Sequence, residues 1–134
     1  MDSSYEVFLG GATKPSRDMI NVTINWQKVI SINDNCFRKM NKPAAVRLAF
    51  SRNEQTIAVV PCSPRFNEAF PVKTKGGSGW RINAAPFCRH FNIHVDTTLR
   101  FIDAHLAPDG ALHLDLRKVV NAAQVRGKRT KKAA

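Results

Sequence analysis

The sequence predicts a mainly β protein with short helices: a small barrel built from two tandem strand–helix–β-hairpin repeats. Three observations predict it. At a constant offset of 50, Ile32 matches Ile82, Asn33 matches Asn83, Phe37 matches Phe87 and Lys39 matches Arg89. A unit that cannot bury its apolar face alone packs on its twin, so a repeat shapes every later inference. Ile20, Val22 and Ile24 alternate with Asn21, Thr23 and Asn25, the period of a half-buried strand. Finally, each copy is followed by two apolar runs joined by a polar turn, the mark of a hairpin.

The elements follow in order. Residues 1–18 hold one apolar cluster, then Gly10-Gly11 and Pro15, and read as an N-terminal arm. A strand is expected over 19–26, and Val29, Ile30 and Ile32 resume an extended run. Asn33 offers a side-chain oxygen to cap a helix, and Asp34 suits the positive end of its dipole. Phe37 and Met40 share one face of that helix, while Arg38 and Lys39 point away. Pro43 biases Lys42 toward extended geometry and keeps the helix short. Residues 45–50 and 56–60 then form a hairpin around a polar turn at 51–55.

The first repeat is placed at 19–65 and the second at 66–118, together one domain. Residues 66–72 read as an approach strand, at a sheet edge because Pro71 cannot donate to a ladder. A basic, Gly-rich loop follows at 73–79. The second copy has an extended segment at Trp80, Asn83 as cap, Pro86 in the first helical turn, and Phe87 with His90 and Phe91 on the apolar side. A strand over 98–105, a turn containing Asp109-Gly110 and a strand over 111–116 complete it. A short helix is expected at 119–125, inside a basic and disordered tail of 119–134.

Charge bounds the partners. The 21 Lys and Arg against 10 Asp and Glu give +11, and seven of the basic residues lie in 117–134, which holds no acid. A basic body with a more basic tail suits a polyanion, nucleic acid first. No apolar run approaches the ~20 residues that span a bilayer, and residues 1–6 lack the basic start and apolar core of a secretory signal. A cytoplasmic location, nucleoid-associated if DNA is the partner, is the expectation. Cys36, Cys62 and Cys88 are too few and too scattered for a disulfide framework and read as buried apolar residues.

The run from Gln27 through Ile32 to Asn33, then Phe37-Arg38-Lys39-Met40 and a hairpin, resembles the AbrB/SpoVT-type swapped-hairpin DNA-binding domain. Residues 79–91 followed by 98–116 resemble the same plan, so the chain is similar to the tandem-repeat, MraZ-like arrangement of that family. Asn33 and Asn83 stand where the family has Pro, and Gln27-Lys28 where it has Gly-Arg. The resemblance implies double-stranded DNA binding and transcription regulation, with a homodimer as a further expectation. The DNA-binding residues it implies on the strand-to-helix segments are Lys28, Arg38, Lys39, Lys42, Arg81 and Arg89. Lys73 and Lys75 in the Gly loop, and Arg126, Lys128, Arg129, Lys131 and Lys132 in the tail, join them as phosphate contacts. Arg47, Arg52 and Arg100 read as solvated charges of the hairpins.

Other chemistries find less support. His90 and His94 stand four apart with Cys88 nearby, but Asn92 and Ile93 end the helix between them, so no metal is expected. Residues 95–98 lack the Gly of an aspartic-protease triplet, and there is no phosphate-binding or nucleophile-elbow motif. Neither an enzyme nor a cofactor is expected. The alternative function is a protein-interaction module, antitoxin-like or scaffold, whose tail binds polyanions nonspecifically.

Overall fold

The computed structural model describes residues 19–74, 76 and 79–122. It is mainly β, with two antiparallel sheets and two short helices. The chain runs β1 (Val22–Ile24), β2 (Val29–Ile32), α1 (Asp34–Lys39), β3 (Ala45–Ser51), β4 (Thr56–Cys62), β5 (Phe70–Pro71) and β6 (Lys73–Thr74). It continues with β7 (Trp80–Asn83), α2 (Ala85–Phe91), β8 (Leu99–Phe101), β9 (His105–Leu106), β10 (Leu112–Asp115) and β11 (Val119–Asn121). One sheet has the order β11-β8-β1-β2-β7-β6 and the other β5-β3-β4-β10-β9. Among the described residues the two sheets do not close into a barrel.

Both sheets feed one core. Val22, Ile24, Ile30, Ile32 and Ile82 from the six-stranded sheet meet Val46, Ile57, Val59, Leu112 and Leu114 from the other, all at 2% exposure or less. The alternation seen in the sequence explains this side-by-side packing, because successive side chains leave opposite faces of a strand. Phe37, Cys36 and Met40 from α1, and Phe87 and Cys88 from α2, close the core.

The register of the six-stranded sheet is specific. β2 pairs with β7 so that Ile30 faces Ile82 and Ser31 faces Arg81, residues that differ by 50 in the latter pair. Thr23 faces Ser31 across β1 and β2, and Lys73 faces Arg81 across β6 and β7. The second pairing is the first with 50 added to each number. In the other sheet the hairpin strand β4 lies against β10, with Ala58 opposite His113.

Asn33 caps α1 as expected: its Oδ1 accepts from the Cys36 N–H at 3.1 Å. The same oxygen accepts from the Asn21 N–H at 3.2 Å, and Nδ2 donates to the Met19 carbonyl at 2.6 Å, so one side chain ties strand entry to helix start. Trp80 joins the two halves, stacking on Phe37 with centroids 3.9 Å apart and donating its indole N–H to Asp34 Oδ1 at 2.9 Å.

Five expectations are corrected. Asn83 does not cap α2; Ala84 holds that position, and Asn83 Oδ1 accepts only from the Ala85 N–H at 3.3 Å. A bond like that of Asn33, three residues on, would fall on Pro86, which has no N–H. The strand at 98–105 is two strands, because the chain leaves one sheet after Phe101 and enters the other at His105. Residues 66–72 shrink to Phe70–Pro71, and 19–26 to Val22–Ile24. Residues 119–121 form β11, antiparallel to β8, where the expected helix was to begin; Ala122 is helical, and residues 123–125 of that helix lie outside the described residues. Residues 119–121 belong to the sheet and not to the tail; residues 1–18 and 123–134 lie outside the described residues.

The turn into β11 is clamped by Asp115. Its Oδ1 accepts from the Arg117 N–H at 2.9 Å and from Nε at 3.0 Å, and its Oδ2 accepts from Nη2 at 3.0 Å. These bonds from Arg117, side chain first, hold the Asp115 carboxyl below the usual carboxylate range. A carboxyl depressed in the folded state contributes stability that is present above its unfolded pKa and is lost as pH falls through the folded value. We therefore expect Asp115→Asn to lower the denaturation midpoint at pH 6. The gap from the parent should close as acid titrates the parent's carboxyl; a gap constant from pH 6 to pH 2 would refute the clamp.

Candidate nucleic-acid interface

The outer face of the six-stranded sheet carries a row with three cations, Arg100, Arg81 and Lys73. The row crosses the sheet: Val120, Arg100, Thr23, Ser31, Arg81 and Lys73, each opposite the next. The alternation that buries Val22, Ile24, Ile30, Ile82 and Phe101 turns this row outward. None of the six strands contains an Asp or Glu. Among the described residues the ion pairs use Arg38, Arg47, Arg117 and Lys118, and leave Arg100, Arg81 and Lys73 without one.

Beside the row, the polar side chains serve the fold. Asn25 Oδ1 accepts from the N–H groups of Gln27 and Val29, both at 3.0 Å, and shapes the β1–β2 turn. Asn33 caps α1.

The remaining sequence-predicted residues scatter. Lys28 is half-buried with φ of 66°; its Nζ donates to the Trp26 carbonyl at 3.2 Å, and its own carbonyl accepts from the Ala84 N–H at 2.9 Å. It serves the turn. Arg38 stands 3.9 Å from Asp34 one turn back, and Lys39 is exposed beside it in the last turn of α1. Lys42 is exposed in the following loop with φ of 51°, its N–H bonded to the Phe37 carbonyl at 2.9 Å. Arg89 occupies the last turn of α2, exposed. Cations there favour the negative helix end, which is sufficient reason for their placement. Lys75, Arg126, Lys128, Arg129, Lys131 and Lys132 lie outside the described residues.

Arg100, expected on the second hairpin, lies on β8 of the six-stranded sheet. Leu99-Arg100-Phe101 does alternate in, out, in, but its place beside Thr23 depends on the β1–β8 pairing, which no local signal encodes. Arg117 and Lys118, counted with the tail, are engaged by Asp115 and Asp103, the latter at 3.3 Å.

Among the described residues no group of three or more His, Cys, Asp or Glu is placed to hold a metal. α2 ends at Phe91, and Asn92 in the left-handed conformation turns the chain, so His94 leaves the helix that carries His90. Burial pushes the Cys36 thiol up to about 12, against a smaller opposing effect of Lys39, and also raises that of Cys88. Neither is an activated nucleophile; Cys62 is half-buried at the end of β4. Among the described residues no helix is long and apolar enough to cross a membrane. No family model, curated protein or solved structure matches the chain.

Proposed function

We infer that the protein binds double-stranded DNA through the outer face of its six-stranded sheet. The observation that carries this reading is the acid-free row holding Arg100, Arg81 and Lys73. Arg100 and Arg81 are three strand spacings apart, about 14 Å. That is close to the ~12 Å width of a major groove, so the two guanidinium groups suit phosphates on its opposite walls. Lys73 extends the positive strip by one more strand. Replacing condensed counterions at three such points gives affinity without sequence preference, and sheets are an established means of entering a groove.

The AbrB/SpoVT-like plan and a transcription-regulating role extend the same reading. The element order β2-α1-β3-β4 and the pairing of β2 with β7 across Ser31 and Arg81 support two equivalent halves around a local two-fold axis. The matched pairings Thr23–Ser31 and Lys73–Arg81 support it further. A non-enzymatic, chromosome-associated protein of the cytoplasm, alone or as a homodimer, is the biological setting this proposal entails.

The second reading, a protein-interaction module, is favoured by Trp26, 60% exposed at the tip of the β1–β2 turn. Exposed Trp is enriched at interface centres. Amide mapping separates the two. Titrating the full chain with a mixed-sequence duplex should shift the amide signals of β1, β2, β7 and β8. A duplex that leaves these four strands unperturbed would overturn the sheet-face reading.

A further inference from the structure

We propose that a cavity between the first hairpin and the C-terminal end of α2 binds a small planar aromatic anion, an aromatic carboxylate of one or two rings. The cavity has a volume of about 310 Å³, at the lower end of the range for small-molecule sites. Its lining includes Leu99 of β8 but none of the cations Arg100, Arg81 and Lys73 of the row.

Its floor is aromatic and aliphatic. Phe50 and Phe91 line it with centroids 5.3 Å apart and planes tilted by 53°, and Leu99 and Leu116 continue the apolar surface. All four are half-buried. The wall is cationic and flat: the Arg52 guanidinium lies 5.2 Å from the centre of the Phe91 ring, where it is held by a cation–π contact.

Arg52 has no ion-pair partner among the described residues, and no carboxylate lines the cavity. A cationic ligand therefore finds no counter-charge, whereas a carboxylate meets a planar fork that it can accept from in two parallel bonds. Gln55, also in the lining, donates from Nε2 to the Arg52 carbonyl at 2.9 Å and ties together the turn that carries Arg52. Asn92 and His94, both exposed, complete the polar rim. A ring stacked on the Phe50–Phe91 floor, with its carboxylate at Arg52, satisfies both halves of the site.

The test uses the full chain and three probes followed through its amide signals: 2-naphthoate, its neutral isostere 2-naphthamide, and cyclohexanecarboxylate. We expect 2-naphthoate to shift the signals of Arg52, Gln55 and Asn92 saturably, and to bind about tenfold tighter than either other probe. Arg52→Gln lies on an exposed turn and should preserve the spectrum of the remaining protein while removing that tenfold preference over 2-naphthamide. Equal binding of 2-naphthamide, an unchanged preference in Arg52→Gln, or shifts confined to Arg81 and Lys73 would each overturn the proposal.

Discussion

Replacing Arg81, Lys73 and Arg100 together with Gln should flatten the salt dependence of duplex DNA binding by about 2.7 in the slope of log K against log salt. The expectation follows from counterion release, at about 0.9 per phosphate neutralised. Weakening should be uniform across duplex sequences, because phosphate contacts carry no base information. Arg81 and Lys73 are exposed, Arg100 is half-buried opposite Thr23, and none has an ion-pair partner among the described residues. Folding stability should therefore change by no more than about 0.5 kcal/mol at each of the two exposed sites. A matched triple substitution of Arg47, Arg65 and Arg89, exposed residues elsewhere, should change the slope far less. Equal effects of the two triples would mean that only net charge matters.

Ile82→Ala should destabilise the protein by about 2–5 kcal/mol, the cost of deleting a fully enclosed aliphatic side chain and leaving its cavity. Ile82 is 0% exposed and faces Ile30 across the β2–β7 pair. That pair joins the segment entering α1 to the segment entering α2, so the loss falls where the two halves of the six-stranded sheet meet. A domain of this size has only about 5–15 kcal/mol in total, and the variant should unfold at a markedly lower denaturant midpoint. Ile102→Ala, at a residue 57% exposed, is the control and should cost under about 0.5 kcal/mol. Similar midpoints for the two variants would contradict the assigned pairing of β2 with β7.

These expectations rest unequally on sequence. Local chemistry was legible in Asn33, three residues ahead of a free N–H, and in Asp109-Gly110, which turns β9 into β10; it failed before Pro43, where Lys42 was expected to be extended but has a φ of 51°. The buried set Val22, Ile24, Ile30 and Ile32 could be read from alternation alone. What escaped depends on contacts between distant segments. Residues 98–105 look like one strand because their apolar pattern is continuous, yet the chain bends at Ile102 and changes sheet. Residues 119–121 looked helical because a β-bridge to β8 twenty residues earlier has no local signature. The same limit applies to the site. Arg81 was legible from the repeat, whereas Arg100 joins it only once β1 pairs with β8 and β2 with β7. Lys28 has features that charge counting cannot see: a positive φ, a bond from its Nζ to the Trp26 carbonyl and one from the Ala84 N–H to its own carbonyl.

The most direct measurement separates the sheet face from the tail within an intact chain. Arg126, Lys128, Arg129, Lys131 and Lys132 would all be changed to Gln, and binding to a mixed-sequence duplex followed by fluorescence anisotropy across a salt series. The account predicts that this chain still binds at low salt and weakens steeply as salt rises, because the sheet itself neutralises phosphates. Complete loss of binding at low salt, with the fold intact, would place the affinity in the tail and contradict the central claim.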